Sequence, residues 1–273
     1  MELSLIGLAL GAVVGLILAL AGAGGGILAV PLLVFGLHLS IHQAAPVGLI
    51  AVGMSSAFGA ALGLRQGLVR YRAAAVIGSV GMAMAPLGVR LARWIPNAPL
   101  TLSFALVLAW VAWRMWRQSR PGARPLAKRT RAPMPCVVDP DRGRLIWTKP
   151  CAWALCTTGA VSGVLSGLLG VGGGFVIVPS LTHYTNLDMR SILATSLAVI
   201  ALVSIGSVWA AAAQGSIAWE LAWPFAVGAV GALLAGRALA ARLAGARLQQ
   251  AFALICCAVS LLLMARALGW TSV

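Results

Sequence analysis

Two copies of one glycine-rich motif stand inside apolar stretches of the chain, and these are the residues best suited to bind a ligand. In each copy a glycine triplet is followed, five residues after its last glycine, by a proline. Glycine costs about 1 kcal/mol in a helix interior relative to alanine, so the triplets predict helix breaks, with short helices beginning at Ile27 and Phe175. The free N–H groups and positive dipole ends of such helices favour an anion. The motif residues are Gly24, Gly25, Gly26 and Pro31, and Gly172, Gly173, Gly174 and Pro179.

Small hydroxyl residues follow each motif on the next apolar run. Thr195 and Ser196 follow the second copy, and Ser56 and Ser204 occupy equivalent positions after the two copies. A hydroxyl donates a hydrogen bond to an oxyanion without fixing a charge, so we expect these four residues to bind substrate together with the motif residues. The alternative is that glycines and hydroxyls only serve helix packing and hydrogen bonds between helices.

Ionisable residues are scarce within the apolar runs. His183 and His38 are candidates for proton coupling, because an imidazole titrates near neutral pH, and an interfacial or structural role is the alternative. No Asp or Glu stands in the middle of an apolar run, which argues against a carboxylate proton relay. The chain also lacks a GxxxxGK[ST] motif and any acidic or histidine cluster for a metal. We therefore expect no catalytic residues, no metal and no cofactor, and interpret the chain as not being an enzyme.

The cysteines carry no recognisable pattern. The chain has five, with no CxxC pair and no metal-binding spacing. We interpret Cys151, Cys156, Cys256 and Cys257 as small buried apolar side chains. A thiol relay through Cys151 and Cys156 is a further hypothesis.

Composition identifies the elements that position these residues. Of the 273 residues 61% are hydrophobic and 9% are charged, and the mean hydropathy is +0.98, which excludes an ordinary water-soluble domain. A membrane span needs about 20 apolar residues. Two apolar runs, 27–37 and 175–185, are about half that length. The chain is thus predicted to be an all-α polytopic membrane protein with two short segments and eight full spans: 3–21, 44–64, 73–93, 98–116, 151–170, 191–213, 221–241 and 249–268.

An internal repeat organises these runs. An ungapped offset of 148 positions, from Gly22 to Gly170, superposes the two motifs and also brings Gln66-Gly67 onto Gln214-Gly215. A fixed register over this distance indicates two copies of one structural unit. We assign residues 1–116 to the first transmembrane repeat, 117–150 to a basic, proline-rich linker and 151–273 to the second repeat.

Charge placement gives the orientation. Twenty Lys and Arg against five Asp and Glu give a net charge of +15, but most of the bases lie in the linker or at the edges of apolar runs, so nucleic acid is not the expected partner. Inverted repeats place seventeen bases on the linker side and only Arg90, Arg93 and Arg266 on the other. The positive-inside rule therefore favours inverted repeats and a cytoplasmic linker. The expected partners are a small anion and the lipid bilayer, and a homo-oligomer is left open.

The doubled Gly-x-Gly-Gly-Gly-x-x-x-Val-Pro motif, together with Ala194-Thr195-Ser196, resembles the sulfite exporter TauE/SafE family of bacterial inner-membrane permeases. The resemblance implies secondary transport of a small sulfur-containing anion, such as sulfite, thiosulfate or an organosulfonate, by alternating access around the two glycine breaks. The first repeat departs from the pattern, since Val47-Gly48 stand where the Thr-Ser step would be. The alternative function is a membrane scaffold or assembly factor that acts through its basic linker.

Overall fold

The computed structural model describes residues 2–118, 136, 148–243 and 246–267. These residues form ten α-helices and one 3-10 helix, with no strand among them. Seven of the described helices are long and apolar enough to cross a membrane, which confirms an all-α polytopic membrane protein. The elements are α1 Glu2–Ala21, the 3-10 helix Gly22–Leu28, α2 Ala29–Gly36, α3 Ile41–Arg65, α4 Tyr71–Trp94, α5 Asn97–Gln118, α6 Lys149–Leu169, α7 Gly174–Tyr184, α8 Met189–Ala213, α9 Trp219–Leu243 and α10 Ala246–Ala267.

The first short segment is re-entrant and runs back along α1. A Cβ built on Gly25 would lie 2.8 Å from the backbone of Ile17 and Leu18, and one built on Gly36 would lie 2.8 Å from the Leu10 side chain. Later residues of the segment therefore lie beside earlier residues of α1. The segment therefore returns toward the side on which α1 begins.

The second short helix, α7, returns along α6 in the same way. At its start, Ser162 Oγ of α6 donates a 3.4 Å hydrogen bond to the Gly173 carbonyl. At its end, the Cys136 N–H donates to the Tyr184 carbonyl at 3.1 Å, and Cys136 is disulfide-bonded to Cys151 in the first turn of α6. The end of α7 thus lies beside the beginning of α6.

The central pair of helices shows the relation between the repeats. α3 and α8 begin and end at positions 148 residues apart, so they are equivalent elements. Gly53 lies against Ser204, Gly59 against Leu197 and Gly63 against Ala194, so the two helices run antiparallel. Antiparallel packing of equivalent helices is the arrangement expected of inverted repeats.

Small residues allow close contact between the outer helices of the two repeats. α1 packs in parallel on α9, where Gly11 lies against the Phe225 carbonyl and Gly15 against the Ala229 carbonyl. α4 packs in parallel on α6, where Gly163 and Gly167 lie against the carbonyls of α4. A side chain at these positions would meet backbone, so glycine sets the distance between these helices.

The disulfide corrects the interpretation of the cysteines. Cys151 is bonded to Cys136 at an S–S distance of 2.02 Å, so it is not a free thiol. The proposed relay through Cys151 and Cys156 is therefore wrong for this structure. Of the remaining cysteines, Cys256 is buried, Cys156 is half-buried and Cys257 is exposed.

Candidate substrate site at the two glycine breaks

Val52 of α3 lies between the two glycine breaks. A Cβ built on Gly26 would lie 3.0 Å from Val52 Cγ1, and one built on Gly172 would lie 3.3 Å from the same atom. The Gly26 position is also 3.5 Å from the Val171 carbonyl oxygen, in the second break. The two breaks therefore meet at the crossing of α3 and α8, as the repeat predicts.

Three buried serine hydroxyls lie next to this meeting point. Ser55 and Ser56 follow Val52 by one helical turn and are 0% exposed, and Ser204 of α8 is 2% exposed. Among the described residues, none of the three Oγ atoms has a hydrogen-bond partner. A buried polar group without a partner costs about 1–3 kcal/mol, so these hydroxyls are placed to bind a ligand that can accept hydrogen bonds.

Ser204 reaches the second break directly. Its Oγ would lie 3.7 Å from a Cβ built on Gly172, and its Cβ would lie 2.7 Å from one built on Gly53. Ser55 was not among the residues expected to bind substrate. In the sequence, Ser55 is marked only by its position one turn after Val52 and beside Ser56. This position indicates a site residue only once the two breaks are known to meet at Val52.

The second break exposes the start of a helix. Gly170, Gly172 and Gly173 adopt left-handed backbone conformations with φ of 74°, 73° and 71°. Gly173 is the N-cap of α7, and no side chain caps it. Val176 and Ile177 donate to the Gly173 carbonyl, so the N–H groups of Gly174 and Phe175 are the ones left for a ligand in this first turn.

The first glycine triplet lies in a helical segment, which corrects the prediction of an open helix break before Ile27. A 3-10 helix runs from Gly22 to Leu28 and includes the whole triplet, and α2 begins at Ala29 instead of Ile27. Its i to i+3 hydrogen bonds use N–H groups that an open break would leave free. Two equivalent helix ends facing one anion are therefore absent from the described structure. Only the second break, at the start of α7, has an open helix N-terminus among the described residues.

Thr195 and Ser196 both hydrogen-bond to backbone groups, and Thr195 lies away from Ser204. Thr195 Oγ1 accepts a 3.0 Å hydrogen bond from the Arg70 N–H, and Ser196 Oγ donates to the Leu193 carbonyl at 2.8 Å. Thr195 precedes Ser204 by nine residues, which is about 13 Å along a helix. These two hydroxyls serve backbone groups near the linker-side ends of α3 and α8.

The remaining predicted residues lie on the short helices. Pro31 is buried within α2, and Pro179 is half-buried within α7. His38 follows α2 with a φ of 53°, and His183 lies near the end of α7 with its ring 5.1 Å from that of Tyr184. Both histidines are exposed and lie at the ends of the short helices that are far from the breaks.

The site holds neutral hydrogen-bond donors. In the described part of the chain, the buried polar side chains are all Ser or Thr, and no group of three or more His, Cys, Asp or Glu is placed to hold a metal ion. Hydroxyls and helix N–H groups bind a small anion by hydrogen bonds and dipoles, without a counter-charge.

Comparison with known proteins agrees with this architecture. Residues 7–263 match the family described as "Sulfite exporter TauE/SafE". The chain belongs to the sulfite exporter TauE/SafE family. A relative from Xylella fastidiosa (strain Temecula1 / ATCC 700964), named "Probable membrane transporter protein", is 29% identical over 265 residues, which cover 96% of this chain and 94% of the relative. One with the same name from Haemophilus influenzae is 41% identical over 69 residues, which cover 23% of this chain and 26% of the relative. No solved structure matches.

Proposed function

We propose that this membrane transporter is a secondary transporter of a small sulfur-containing anion, namely sulfite, thiosulfate or an organosulfonate. The substrate class is suggested by the description of the family. The anion binds at the meeting of the two breaks, between Ser55, Ser56 and Ser204, and becomes accessible from each side of the membrane in turn.

The observation that carries this proposal is the set of three buried serine oxygens without partners beside the open N-terminus of α7. An oxyanion with three exposed oxygens can accept from several of these donors at once. Neutral donors repay only part of the desolvation of an anion, so the anion is bound and then released, as transport requires.

The proposed location is the bacterial inner membrane, with the linker side in the cytoplasm. The cytoplasmic location of the linker rests on the charge count, since bases on the side opposite the linker are limited to Arg90, Arg93 and Arg266. The scaffold alternative rests on linker residues 117–150, most of which lie outside the described residues, and family membership favours a transporter.

Proton coupling through His183 or His38 is part of the proposal. Their positions at the ends of the short helices fit a coupling step at the mouths of the pathway and not at the binding site itself. A histidine at such a mouth can exchange protons with the solvent on one side.

The test is uptake of labelled sulfite and thiosulfate into liposomes containing the purified protein. We expect Ser204→Ala to lower uptake by about tenfold or more, because about 1.4 kcal/mol corresponds to tenfold and a hydrogen bond to a charged group is worth about 1.5–3 kcal/mol. In the same assay, His183→Gln should lower uptake driven by a pH gradient and leave anion exchange intact.

Ser260→Ala is the matched control. Ser260 is also 2% exposed, but its Oγ donates to the Ala105 carbonyl at 2.8 Å, between α10 and α5. This variant loses a buried hydroxyl without touching the site, so its uptake should equal that of the wild type. Wild-type uptake by a protein with Ser55, Ser56 and Ser204 all replaced by Ala would overturn the proposed site.

A further inference from the structure

A cavity of about 260 Å³ lies on the side of the molecule opposite the linker. It is enclosed by the first turns of α3 and α5, the last turns of α4 and α6, and the end of α8 with the residues just after it. Most of its lining is apolar. The polar side chains among its lining residues are His42, Arg93, Gln214 and Ser216.

Arg93 joins the two repeats at this cavity. Its Nη2 donates a 2.8 Å hydrogen bond to the carbonyl of Gln214, which caps the end of α8. A guanidinium has five N–H donors in a planar fork suited to oxyanions, and this bond uses one of them. The Gln214 Oε1 atom is buried and has no partner among the described residues.

An arginine is unusual at this place in the sequence. Only Arg90 and Arg266 accompany it on this side of the membrane. The position equivalent to Arg93 in the second repeat is Ala241, so the repeat architecture does not need a base there. Arg93 is therefore a feature of this one cavity and not of the common fold.

The inner end of the cavity points at the substrate site. Ala45, which lines the cavity, lies against Gly170 of the second break. Leu49 also lines it and precedes Ser55 and Ser56 by six and seven residues, which is about 10 Å along α3. Gly172 of the same break lies beside Ser204, since a Cβ built on it would lie 3.7 Å from Ser204 Oγ.

We propose that this cavity is an anion-binding vestibule, in which Arg93 binds the small sulfur oxyanion before it passes to Ser55, Ser56 and Ser204. The vestibule deepens the proposed function and rests on it for the identity of the anion. Arg93 supplies the charge that draws the anion out of water. The neutral serines beyond it supply the site from which the anion leaves.

The test measures the electrostatic preference of the vestibule without relying on transport. In the full-length protein, with Cys156, Cys256 and Cys257 replaced by Ala and the disulfide kept, Ser216→Cys places a thiol in the cavity. The probes are two methanethiosulfonate reagents, one carrying an anionic ethylsulfonate and one a cationic ethyltrimethylammonium. We expect the anionic reagent to react faster relative to the cationic one at Ser216→Cys than at Asn97→Cys, an exposed position on the same side of the membrane.

Adding Arg93→Gln to Ser216→Cys should lower this rate ratio by about tenfold or more, because loss of the positive charge slows the anionic reagent and speeds the cationic one. Arg93→Lys should retain most of the ratio. Arg90→Gln is the matched control, because Arg90 is an exposed base one turn earlier on α4 and does not line the cavity. An equal ratio at positions 216 and 97, or a ratio unchanged by Arg93→Gln, would overturn the vestibule.

Transport separates this inference from the proposed function. If the wild type carries sulfite or thiosulfate, Arg93→Gln should raise KM for the anion about tenfold with a smaller change in kcat. An Arg93→Gln protein with wild-type KM would reject the vestibule and leave the transporter proposal standing. A wild type without flux, but with the Arg93-dependent rate ratio, would reject the sulfur-anion proposal and retain an anion vestibule.

Discussion

At the scale of single residues, the proposed substrate site depends on the absence of side chains as much as on the serines. Gly172 has a left-handed φ of 73°, and a Cβ built on it would lie 2.8 Å from Ile200 Cγ2 and 3.3 Å from Val52 Cγ1. Only glycine adopts this conformation without strain and also leaves space beside Ser204. The glycine therefore both turns the chain and keeps the site open.

A comparison of Gly172→Ala with Gly215→Ala tests whether the missing side chain of Gly172 leaves space that the anion needs. Gly215 has nearly the same conformation, with φ of 66°, but nothing lies within 4 Å of a Cβ built there. Both variants should lose about 1–2 kcal/mol of stability from the left-handed conformation, and Gly172→Ala should lose more because its Cβ would lie 2.8 Å from Ile200 Cγ2. Only Gly172→Ala should also lose most anion uptake, as measured by liposome flux beside thermal unfolding.

Equal flux in the two variants would contradict this prediction, because backbone strain would then be the whole effect. The sequence predicted that Gly172 is a site residue, since a helix break within an apolar run is tolerated only where it faces protein or a water-filled cavity. It did not predict that Ser55 belongs to the proposed site, because a serine in an apolar helix is as compatible with helix packing as with binding.

At the scale of helices and loops, run length predicted the long helices closely and local geometry was harder to foresee. The apolar run 191–213 became α8, Met189–Ala213, because about 20 apolar residues satisfy both the bilayer and the helical backbone. The triplets look alike in sequence, yet one lies in a 3-10 helix and the other forms a left-handed turn. Neighbouring side chains decide between these conformations, and periodicity carries no information about them.

The sequence also did not predict the pairing of Cys136 with Cys151, because Cys136 lies in the proline-rich linker and Cys151 in an apolar run. The bond holds Cys136 beside the end of α7, where the Cys136 N–H donates to the Tyr184 carbonyl. A loop of about 15 residues closed by a disulfide stabilises a protein by about 3 kcal/mol in the chain-entropy model. This bond therefore connects the linker to the second re-entrant hairpin.

Cys136→Ser should accordingly lower the melting temperature of the oxidised protein in detergent. Cys156→Ser is the control, since Cys156 is a free cysteine of the same helix as Cys151 and its replacement should have little effect. A reducing agent should bring the wild type to the melting temperature of Cys136→Ser and leave that variant unchanged. A wild type that melts at the same temperature with and without reductant would contradict this role of the disulfide.

At the scale of the whole molecule, the offset between the repeats shows which residues stand on the linker side where the cavity residues stand on the other side. Applying the offset of 148 to the cavity residues Ala45 and Leu49 gives Leu193 and Leu197 on the linker side. There, Leu193 lies 3.0 Å from a Cβ built on Gly22, and Leu197 lies 3.0 Å from one built on Gly59. Packed leucines thus occupy these two positions on the linker side.

The orientation of the whole molecule remains a prediction, and two observations bear on it in opposite directions. Seventeen of the twenty bases lie on the linker side, which favours the cytoplasm for that side. The Cys136–Cys151 disulfide lies on the same side, and disulfides are rare in the cytoplasm because glutathione and thioredoxin reduce them. We give the charges priority, since they act while the helices insert, before any pair of thiols can meet and be oxidised.

Two single cysteines in an otherwise Cys-free chain measure this orientation. Asn97→Cys lies on the side opposite the linker and Gln66→Cys on the linker side, and both positions are exposed. A membrane-impermeant maleimide should label Asn97→Cys in intact cells and Gln66→Cys only after permeabilisation. In acid-quenched cells, Cys136 and Cys151 of the wild type should then be trapped as thiols, and purification in air would form the bond. The opposite labelling pattern would place the linker outside the cytoplasm. The disulfide would then be stable in the cell, and the distribution of arginines would be an exception to the positive-inside rule.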